Sequence, residues 1–541
     1  MILKTKNEGE TMKRQNPSIF NDIVGPIMIG PSSSHTCGPS RIGYLAQQML
    51  PGTLKKAIVA FAKDGAYTLM YKGQRSDMGY VNGLLGRRPE DPALRNAFAD
   101  AREAGVDIQF VIEDFPPIVP NISHLILENT EGRVVEVHSD STGGGTVKLL
   151  QVDGFPIAIV GDCYEILVFT DLCEEDAQKF MDELQSMLPP DEGNAISTVD
   201  GKSLINLKQR ADVSEEFLHK VEAMEHVTEV RYVKPILAVP SNRHAKFPFV
   251  SASEMLAVAR ATGKELWELG MDYEMARSGW TYDEVWKYME GVVETMEHSS
   301  KEALKGDIDM AGIIEPTAGK VENYVKKNPK ALDMGVLNTA VPWAMATMEY
   351  SSAMGVVLCA PTGGSAGIFP GAVLGVANHM GLSLEEKVKA MFVTSIIGIV
   401  MSKDCNYSAE LYGCQVEPGA ASGMAAGALV YLMGGTPEQS CAAASCAVQN
   451  ILGTICDPVA GLVQIPCINR NAMSAANAVV SANMIMGGFD PLIPLDQTAE
   501  TLFRVGKQLP SELRCTCKGG LCITPCGEQL AKEQDIRDAA R

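Results

Sequence analysis

Three cysteines in the last third of the chain have sequence neighbours that are typical of turns. Cys414, Cys456 and Cys467 each have a proline within four residues and a polar residue within two. A free cysteine is usually a buried apolar side chain, and cysteine thiolates are also the ligands of iron–sulfur clusters. Separations of 42 and 11 positions are longer than those of short ferredoxin runs, so spacing alone does not identify a cluster.

Two turns rich in small polar residues are the next candidates for chemistry. Residues 32–36 read Ser-Ser-Ser-His-Thr before a predicted helix, and residues 362–365 read Thr-Gly-Gly-Ser before another. Such turns present backbone N–H groups and the positive end of a helix dipole to an anion. They therefore suit the carboxylate of a substrate, although each is also explained as an ordinary helix start.

Taken together, these motifs resemble the iron–sulfur-dependent L-serine dehydratases (L-serine ammonia-lyases) in their single-chain form. The resemblance is carried by the contexts of the three cysteines, by residues 360–371 and by residues 30–36, and it covers nearly the whole chain. It implies a 4Fe-4S cluster held by Cys414, Cys456 and Cys467, with no pyridoxal phosphate. It also implies conversion of L-serine to pyruvate and ammonia, and a homodimer.

The resemblance also implies the residues around the substrate. A serine and glycine loop at 141–145 matches the family's β domain, and Asn469 and Arg470 follow the third cysteine. The loop is expected to close over the site, or alternatively to be a hairpin turn. The candidate substrate-binding residues are Ser32, Ser33, Ser34, Thr36, Ser141, Gly143, Gly144, Thr362, Gly363, Gly364, Ser365, Asn469 and Arg470.

One position departs from the family pattern. The family's Gly-His-x-Thr-Asp stretch supplies the histidine that is the leading candidate base, and this chain has Gln74 there. Glutamine cannot take up a proton at neutral pH. Lys72, Asp77, His35 and His138 are substitutes for the base. The candidate catalytic residues are His35, Lys72, Gln74 and His138.

The change at Gln74 leaves two alternatives to an L-serine dehydratase. The same scaffold and cluster would act on another β-substituted amino acid, such as L-cysteine in a desulfidase. A chain without catalysis would be an amino-acid or redox sensor, which the intact cysteine triplet argues against. Product assays distinguish these readings.

The predicted fold class is α+β, in four parts. Residues 17–153 read as an N-terminal α/β domain of the dehydratase β type. Residues 154–236 alternate strands and amphipathic helices as an ACT-like βαββαβ unit. Residues 249–510 form an all-α catalytic domain whose helices are apolar on most faces and therefore buried. Residues 511–541 are a cysteine-rich tail.

The tail contains four cysteines whose spacing does not match a common zinc motif. The pairs are Cys515-x-Cys517 and Cys522-x3-Cys526, whereas the common spacing in zinc sites has two residues between paired cysteines. In some family members a C-terminal cysteine occupies the open iron until substrate displaces it. Cys522 or Cys526 is the candidate for this role here.

Composition excludes some partners. The 541 residues include 46 Lys plus Arg and 66 Asp plus Glu, a net charge of −20. This balance argues against nucleic acid or an anionic membrane as a partner, and it leaves a small amino-acid substrate open. The charged start and the absence of a long apolar run predict a soluble, cytoplasmic protein without a secretory signal.

Overall fold

A computed structural model describes residues 17–189, 191–403 and 406–539 of the chain, and it has the predicted α+β architecture. Cys405, whose role the sequence left undecided, lies outside the described residues. Strands occupy mainly the first half, and helices form the second half. The motifs singled out in the sequence come from both halves, so the packing between the halves determines which of them lie close together.

The N-terminal unit is a six-stranded sheet with helices on one face. Its order is β3-β2-β4-β5-β6-β7, in which only the β2–β3 pair is parallel. Alternating apolar side chains of β2, such as Ala57, Val59 and Phe61, are buried in one core. The elements are β1 (Ile27–Ile29), α1 (Gly38–Gln47), β2 (Leu54–Ala62), α2 (Tyr67–Met70), α3 (Ser76–Leu84), α4 (Ala97–Glu103), β3 (Asp107–Glu113), β4 (Ile122–Asn129), β5 (Val134–Gly143), β6 (Thr146–Val152) and β7 (Phe155–Ile159).

The serine and glycine loop at 141–145 forms a tight hairpin, one of the two alternatives that the sequence left open. Strand β5 continues to Gly143, opposite Thr146 of β6. Gly144 and Gly145 alone form the turn, with φ of 63° and 81°. Two-residue hairpin turns favour positive φ at both positions, which glycine adopts without strain. The glycine run therefore specifies a rigid hairpin.

The second unit has the predicted βαββαβ order. Its four strands are antiparallel neighbours in the order β11-β8-β10-β9, the arrangement of ferredoxin-like units. Apolar side chains from both helices pack on the sheet, including Phe180, Leu184 and Val221. The elements are β8 (Tyr164–Thr170), α5 (Glu174–Met187), β9 (Asn194–Val199), β10 (Lys202–Gln209), α6 (Glu215–Glu222) and β11 (Val227–Val233).

The third region is helical, with one short strand. Helices α13 and α15 are buried along most of their length, as their continuous apolar sequences predict. The elements are α7 (Ala252–Thr262), α8 (Leu266–Ser278), α9 (Tyr282–Leu304), α10 (Ala318–Lys327), α11 (Leu337–Ser352), β12 (Val356–Leu358), α12 (Val376–His379), α13 (Leu384–Met401), α14 (Ala409–Tyr412), α15 (Pro418–Leu432), α16 (Pro437–Gln449), α17 (Cys467–Met486), α18 (Leu495–Gln508) and α19 (Pro525–Ala539).

The first described residues pack into the helical region. Ile19 and Phe20 belong to the helical core, and Ser18 Oγ donates a 2.6 Å hydrogen bond to the buried carboxylate of Glu274. Strand β1 then pairs antiparallel with β12, with Ile27 opposite Leu358. From residue 17 onward, the chain therefore packs first into the helical region and then builds the sheet, which brings residues 30–36 to the boundary between them.

In the described ranges, the helices are too short or too polar to cross a bilayer.

Gly83→Ala is predicted to destabilise the N-terminal unit. Gly83 lies where α3 crosses α1, and an added Cβ would overlap the carbonyl oxygen of Ser40. Overpacking of this kind costs about 1–3 kcal/mol, which a urea titration followed by circular dichroism would record as a lower unfolding midpoint. Gly291→Ala in α9 is the matched control, because no atom lies within 4 Å of its added Cβ. A Gly83→Ala midpoint at or above that of the control would contradict this packing.

Candidate active site

Two of the three predicted cysteines meet in the interior. The Sγ atoms of Cys414 and Cys456 and a carboxylate oxygen of Glu417 all lie within 4.8 Å of one another. Cys414 follows Gly413, whose φ of 76° turns the chain after α14. Cys456 is held by a bridge to the tail, in which its N–H donates to the Leu513 carbonyl at 2.8 Å. Residues 42 positions apart thus present their thiols to one buried point.

Cys467 approaches the same point from a third segment. It is the first residue of α17 and is partly exposed, and it lies outside the 4.8 Å group. Arg470, one turn further along α17, contacts Cys414 Sγ at 3.6 Å and donates to the Ile455 carbonyl at 2.8 Å. It also pairs with Asp457 at 2.8 Å. Arg470 therefore ties α17 to both cysteine segments, whereas Asn469 is exposed.

The chemistry of this donor set fits a metal. The neighbouring Cys456 thiol and burial raise the pKa of Cys414 well above its usual range. Burial and then the nearby Cys414 do the same for the pKa of Cys467. Thiols bind soft metals as thiolates, and a bound cation replaces the proton that burial otherwise retains. The cluster of thiols is therefore a candidate metal site.

The serine-rich turn at residues 32–36 joins the two halves of the site. The Gly363 N–H donates to Ser33 Oγ at 3.0 Å, across 330 positions of sequence. Ser141 Oγ donates to the Ser34 carbonyl at 2.7 Å, and Thr36 Oγ1 donates to the Gln74 carbonyl at 2.6 Å. Ser32 caps the turn by accepting the His35 N–H at 3.1 Å, so part of this motif is structural.

The turn at residues 362–365 packs against the cysteine segments. Thr362 and Ser365 join their hydroxyls at 3.0 Å, and the Gly364 carbonyl accepts the Asn471 side-chain amide at 2.8 Å. A Cβ at Gly364 would lie 2.8 Å from a carboxylate oxygen of Glu417. Only glycine lets the backbone approach this carboxylate so closely.

The hairpin of β5 and β6 faces the same region of the helical half. A Cβ at Gly143 would lie 2.6 Å from that of Ser408, and one at Gly144 would lie 3.8 Å from the Pro361 carbonyl. Gly143 therefore permits a close approach to the segment before α14. Arg41 supports the hairpin by donating to the Gly145 carbonyl.

Three of the candidate bases, His35, His138 and Lys72, lie in different surroundings. His35 is completely buried, its Nδ1 lies 2.9 Å from Ser34 Oγ and 3.7 Å from Glu410 Oε1, and its Nε2 lacks a hydrogen-bond partner among the described residues. His138 stacks on His124 with ring centroids 4.2 Å apart. Lys72 is exposed, 5.9 Å from the ring of Tyr71. His35 alone of the three is enclosed beside the two turns.

The pKa of His35 suits a proton acceptor. Burial lowers its pKa below the usual value for histidine, and the Glu410 carboxylate opposes this effect. A depressed pKa keeps the imidazole neutral at physiological pH, so that one ring nitrogen is an acceptor. The Ser34 contact on Nδ1 leaves Nε2 as the available nitrogen.

Gln74 lies beside the cysteine site. Its side chain is 2% exposed, and its amide contacts Met70 Sδ at 3.3 Å. Met70 packs against Cys414 and Cys456. Position 74 is therefore close to the metal site although its side chain is not ionisable, and the geometry supports no proton transfer through it.

The tail contributes a different cysteine from the two predicted. Cys515 lies beside Cys456, and its N–H donates to the Cys456 carbonyl at 3.0 Å. Cys522 instead directs its thiol to the Pro458 carbonyl at 3.1 Å, and Cys526 is exposed. The backbone bridge between the tail and Cys456 explains why Cys515 is the neighbouring tail cysteine, because the bridge determines which tail residue faces the site.

Three buried carboxylates around the site were also missed. Glu417 had a visible signal, since it follows Cys414 by three positions in the quoted motif. Burial raises its pKa to about 8. Asp140 and Glu410 had no such signal, because acidic residues in a strand and a short helix are usually exposed.

Comparison with known proteins places these features in one family. Residues 261–522 match the family model described as serine dehydratase alpha chain. The probable L-serine dehydratase alpha chain of Bacillus subtilis (strain 168) is 35% identical over 285 residues, 53% of this chain and 95% of its own length.

Two relatives from Escherichia coli (strain K12) extend the match along the chain. L-serine dehydratase TdcG is 30% identical over 517 residues, covering 93% of this chain and 98% of the relative. L-serine dehydratase 1 is 28% identical over 508 residues, covering 92% and 96%. None of these names favours the L-cysteine alternative. With these matches over both halves of the site, the chain belongs to the L-serine dehydratase family.

Proposed function

We propose that this protein is an iron–sulfur-dependent L-serine ammonia-lyase that forms pyruvate and ammonia. The observation that carries the proposal is the buried pair of thiols, Cys414 and Cys456, within 4.8 Å of each other. Cys467 completes the set from the start of α17. These three residues would hold a 4Fe-4S cluster, which when bound supplies a Lewis-acid iron that stabilises the departing hydroxide.

His35 is the proposed base for the Cα proton. Its Nε2 is buried and unpartnered in the described part of the chain, and a lowered pKa keeps it neutral. Ser34 fixes the ring through Nδ1 at 2.9 Å. A general base must lie within hydrogen-bond reach of its proton, and the enclosure of His35 beside residues 362–365 supports this role for a substrate held there.

The two turns are the proposed site of the substrate carboxylate. Residues 32–36 and 362–365 are joined by the hydrogen bond from Gly363 to Ser33, and both are buried. Hydroxyls and backbone N–H groups at helix starts favour an anion. Arg470 is better explained as a structural cation, because Asp457 and Cys414 already engage it.

The experiment that tests the function is anaerobic reconstitution with iron and sulfide. Pyruvate and sulfide are then measured with L-serine and L-cysteine in parallel. Pyruvate from L-serine, without sulfide from L-cysteine, is the expected result. Sulfide from L-cysteine, or no product from a fully loaded protein, would contradict an L-serine lyase.

The proposed assembly is a homodimer, as the family resemblance implies. Sedimentation velocity of the reconstituted protein measures it directly, and a mass close to twice 58.1 kDa is expected. A monomer at micromolar concentration would contradict it.

Cys456→Ala is predicted to abolish the visible iron–sulfur absorbance after reconstitution. Its thiol is one of three proposed ligands, and a cluster bound by two cysteines in a buried site lacks a required anchor. Absorbance near 400 nm and bound iron per chain are the measurements. Cys441→Ala is the control, since Cys441 is equally buried but lies in α16. A loaded Cys456→Ala protein would remove this residue from the site.

His35→Asn is predicted to lower kcat for L-serine by at least about 100-fold, the usual scale for loss of a general base. The cluster absorbance should be unchanged, because the imidazole is not a proposed ligand. His219→Asn, an exposed histidine in α6, should retain wild-type kcat. Full activity of His35→Asn would show that His35 is not the base and that another group removes the proton.

A further inference from the structure

Three ionisable side chains from separate elements surround one buried point. His35 follows the first serine turn, Asp140 lies near the end of β5, and Glu410 lies in α14. His35 Nδ1 and Glu410 Oε1 are 3.7 Å apart, and both side chains are almost fully enclosed. The ring of Tyr67 packs edge-on against His35 with centroids 5.0 Å apart.

Two polar atoms of this group have no partner among the described residues. His35 Nε2 and Asp140 Oδ1 are both buried without a hydrogen bond within the described ranges. Asp140 is 7% exposed, and His35 is completely buried. Buried polar groups nearly always have a partner, and leaving one unpaired is costly. Two unpartnered atoms in one enclosed group therefore indicate a ligand that hydrogen-bonds to them.

The charge of the group indicates which kind of ligand it is. Burial, and next the Glu410 carboxylate, raise the pKa of Asp140 to about 6. Lys148, opposite Asp140 on β6, acts in the other direction and is only half-buried. Two enclosed carboxylates beside a neutral imidazole favour a cation, because a buried charge needs a partner of opposite sign.

The oxygens of the two carboxylates have different neighbours. Glu410 Oε2 accepts the Ser408 hydroxyl at 2.7 Å, and Oε1 faces His35. Asp140 Oδ1 has no such contact. Glu410 therefore adds negative charge beside the histidine, while Asp140 Oδ1 is available to a ligand.

We propose that Asp140 binds the α-ammonium group of the amino-acid substrate, beside Glu410 and His35. The proposal rests on the proposed function and names the contact that recognises the amino group. In an α-amino acid the ammonium group and the α proton share one carbon. A carboxylate that holds the ammonium next to His35 therefore also places the Cα–H bond at the base.

Binding of unreactive ligands tests this without turnover. L-Alanine carries the ammonium but no β leaving group, and L-lactate has a hydroxyl in its place. Isothermal titration of the reconstituted protein should show that Asp140→Asn weakens L-alanine binding by about 10- to 100-fold, as expected for the loss of a charge-assisted hydrogen bond. L-Lactate affinity should change less than about twofold. Asp107→Asn, an exposed carboxylate on β3, should alter neither.

Two outcomes would overturn the assignment. One is an unchanged affinity of Asp140→Asn for L-alanine, and the other is an equal loss for both ligands. The absorbance of the cluster and the melting temperature verify that the variant is loaded and folded. If the variant is not recovered, the wild-type protein decides, because L-lactate binding as tightly as L-alanine also overturns the proposal.

The outcomes separate this proposal from the lyase assignment. If the wild-type protein binds L-alanine through Asp140 but forms no pyruvate from L-serine, the ammonium site is supported and the proposed reaction is wrong. If the wild-type protein forms pyruvate but Asp140→Asn binds L-alanine normally, the reaction is supported and the contact with Asp140 is wrong.

Discussion

The contact between two turns from opposite halves of the chain holds the site together. The Gly363 N–H donates to Ser33 Oγ across 330 positions, and the β1–β12 pair lies beside it. The side chains that could bind or react with a substrate come from both sides of this boundary. The cysteines and Glu417 come from the helical half, His35 comes from the serine-rich turn, and Asp140 comes from the sheet. Neither half contains a complete site.

The boundary concentrates polar groups that an ordinary core would exclude. Glu417 and Glu410 enter from the helical half and Asp140 from the sheet, and their burial is costly without partners. Large apolar cores on both sides supply the compensating stability. Arg470 is the cation at the cysteine side, where burial would lower its pKa but Cys414 and Asp457 raise it. On the acidic side near His35, the cation opposite Asp140 in the described residues is Lys148, which is only half-buried, and a substrate ammonium group therefore fits there.

The tail completes the enclosure of the cysteines. Its backbone pairs with Cys456 on both sides, through Leu513 and Cys515. The Leu521 N–H donates to Asp457 at 2.8 Å, so one carboxylate binds both the tail and Arg470. This arrangement couples the position of the tail to the segment that carries Cys456. A tail cysteine beside the metal site is thus a consequence of backbone pairing with that segment.

The sequence by itself determined the α+β class, most helices and strands, the βαββαβ unit and the contexts of the three cysteines. These features are local, because periodicity and neighbouring residues specify them. Only the tertiary structure favoured His35 over Lys72 and His138 as the candidate base. The burial of a side chain and the lack of a partner for its polar atoms depend on residues far apart in sequence. The tertiary structure also decided that the loop at 141–145 is a hairpin, and it added Asp140, Glu410 and Cys515 to the site. The charge state of a buried side chain depends on the residues that pack around it. Those residues come from several segments, so one segment of sequence does not reveal it.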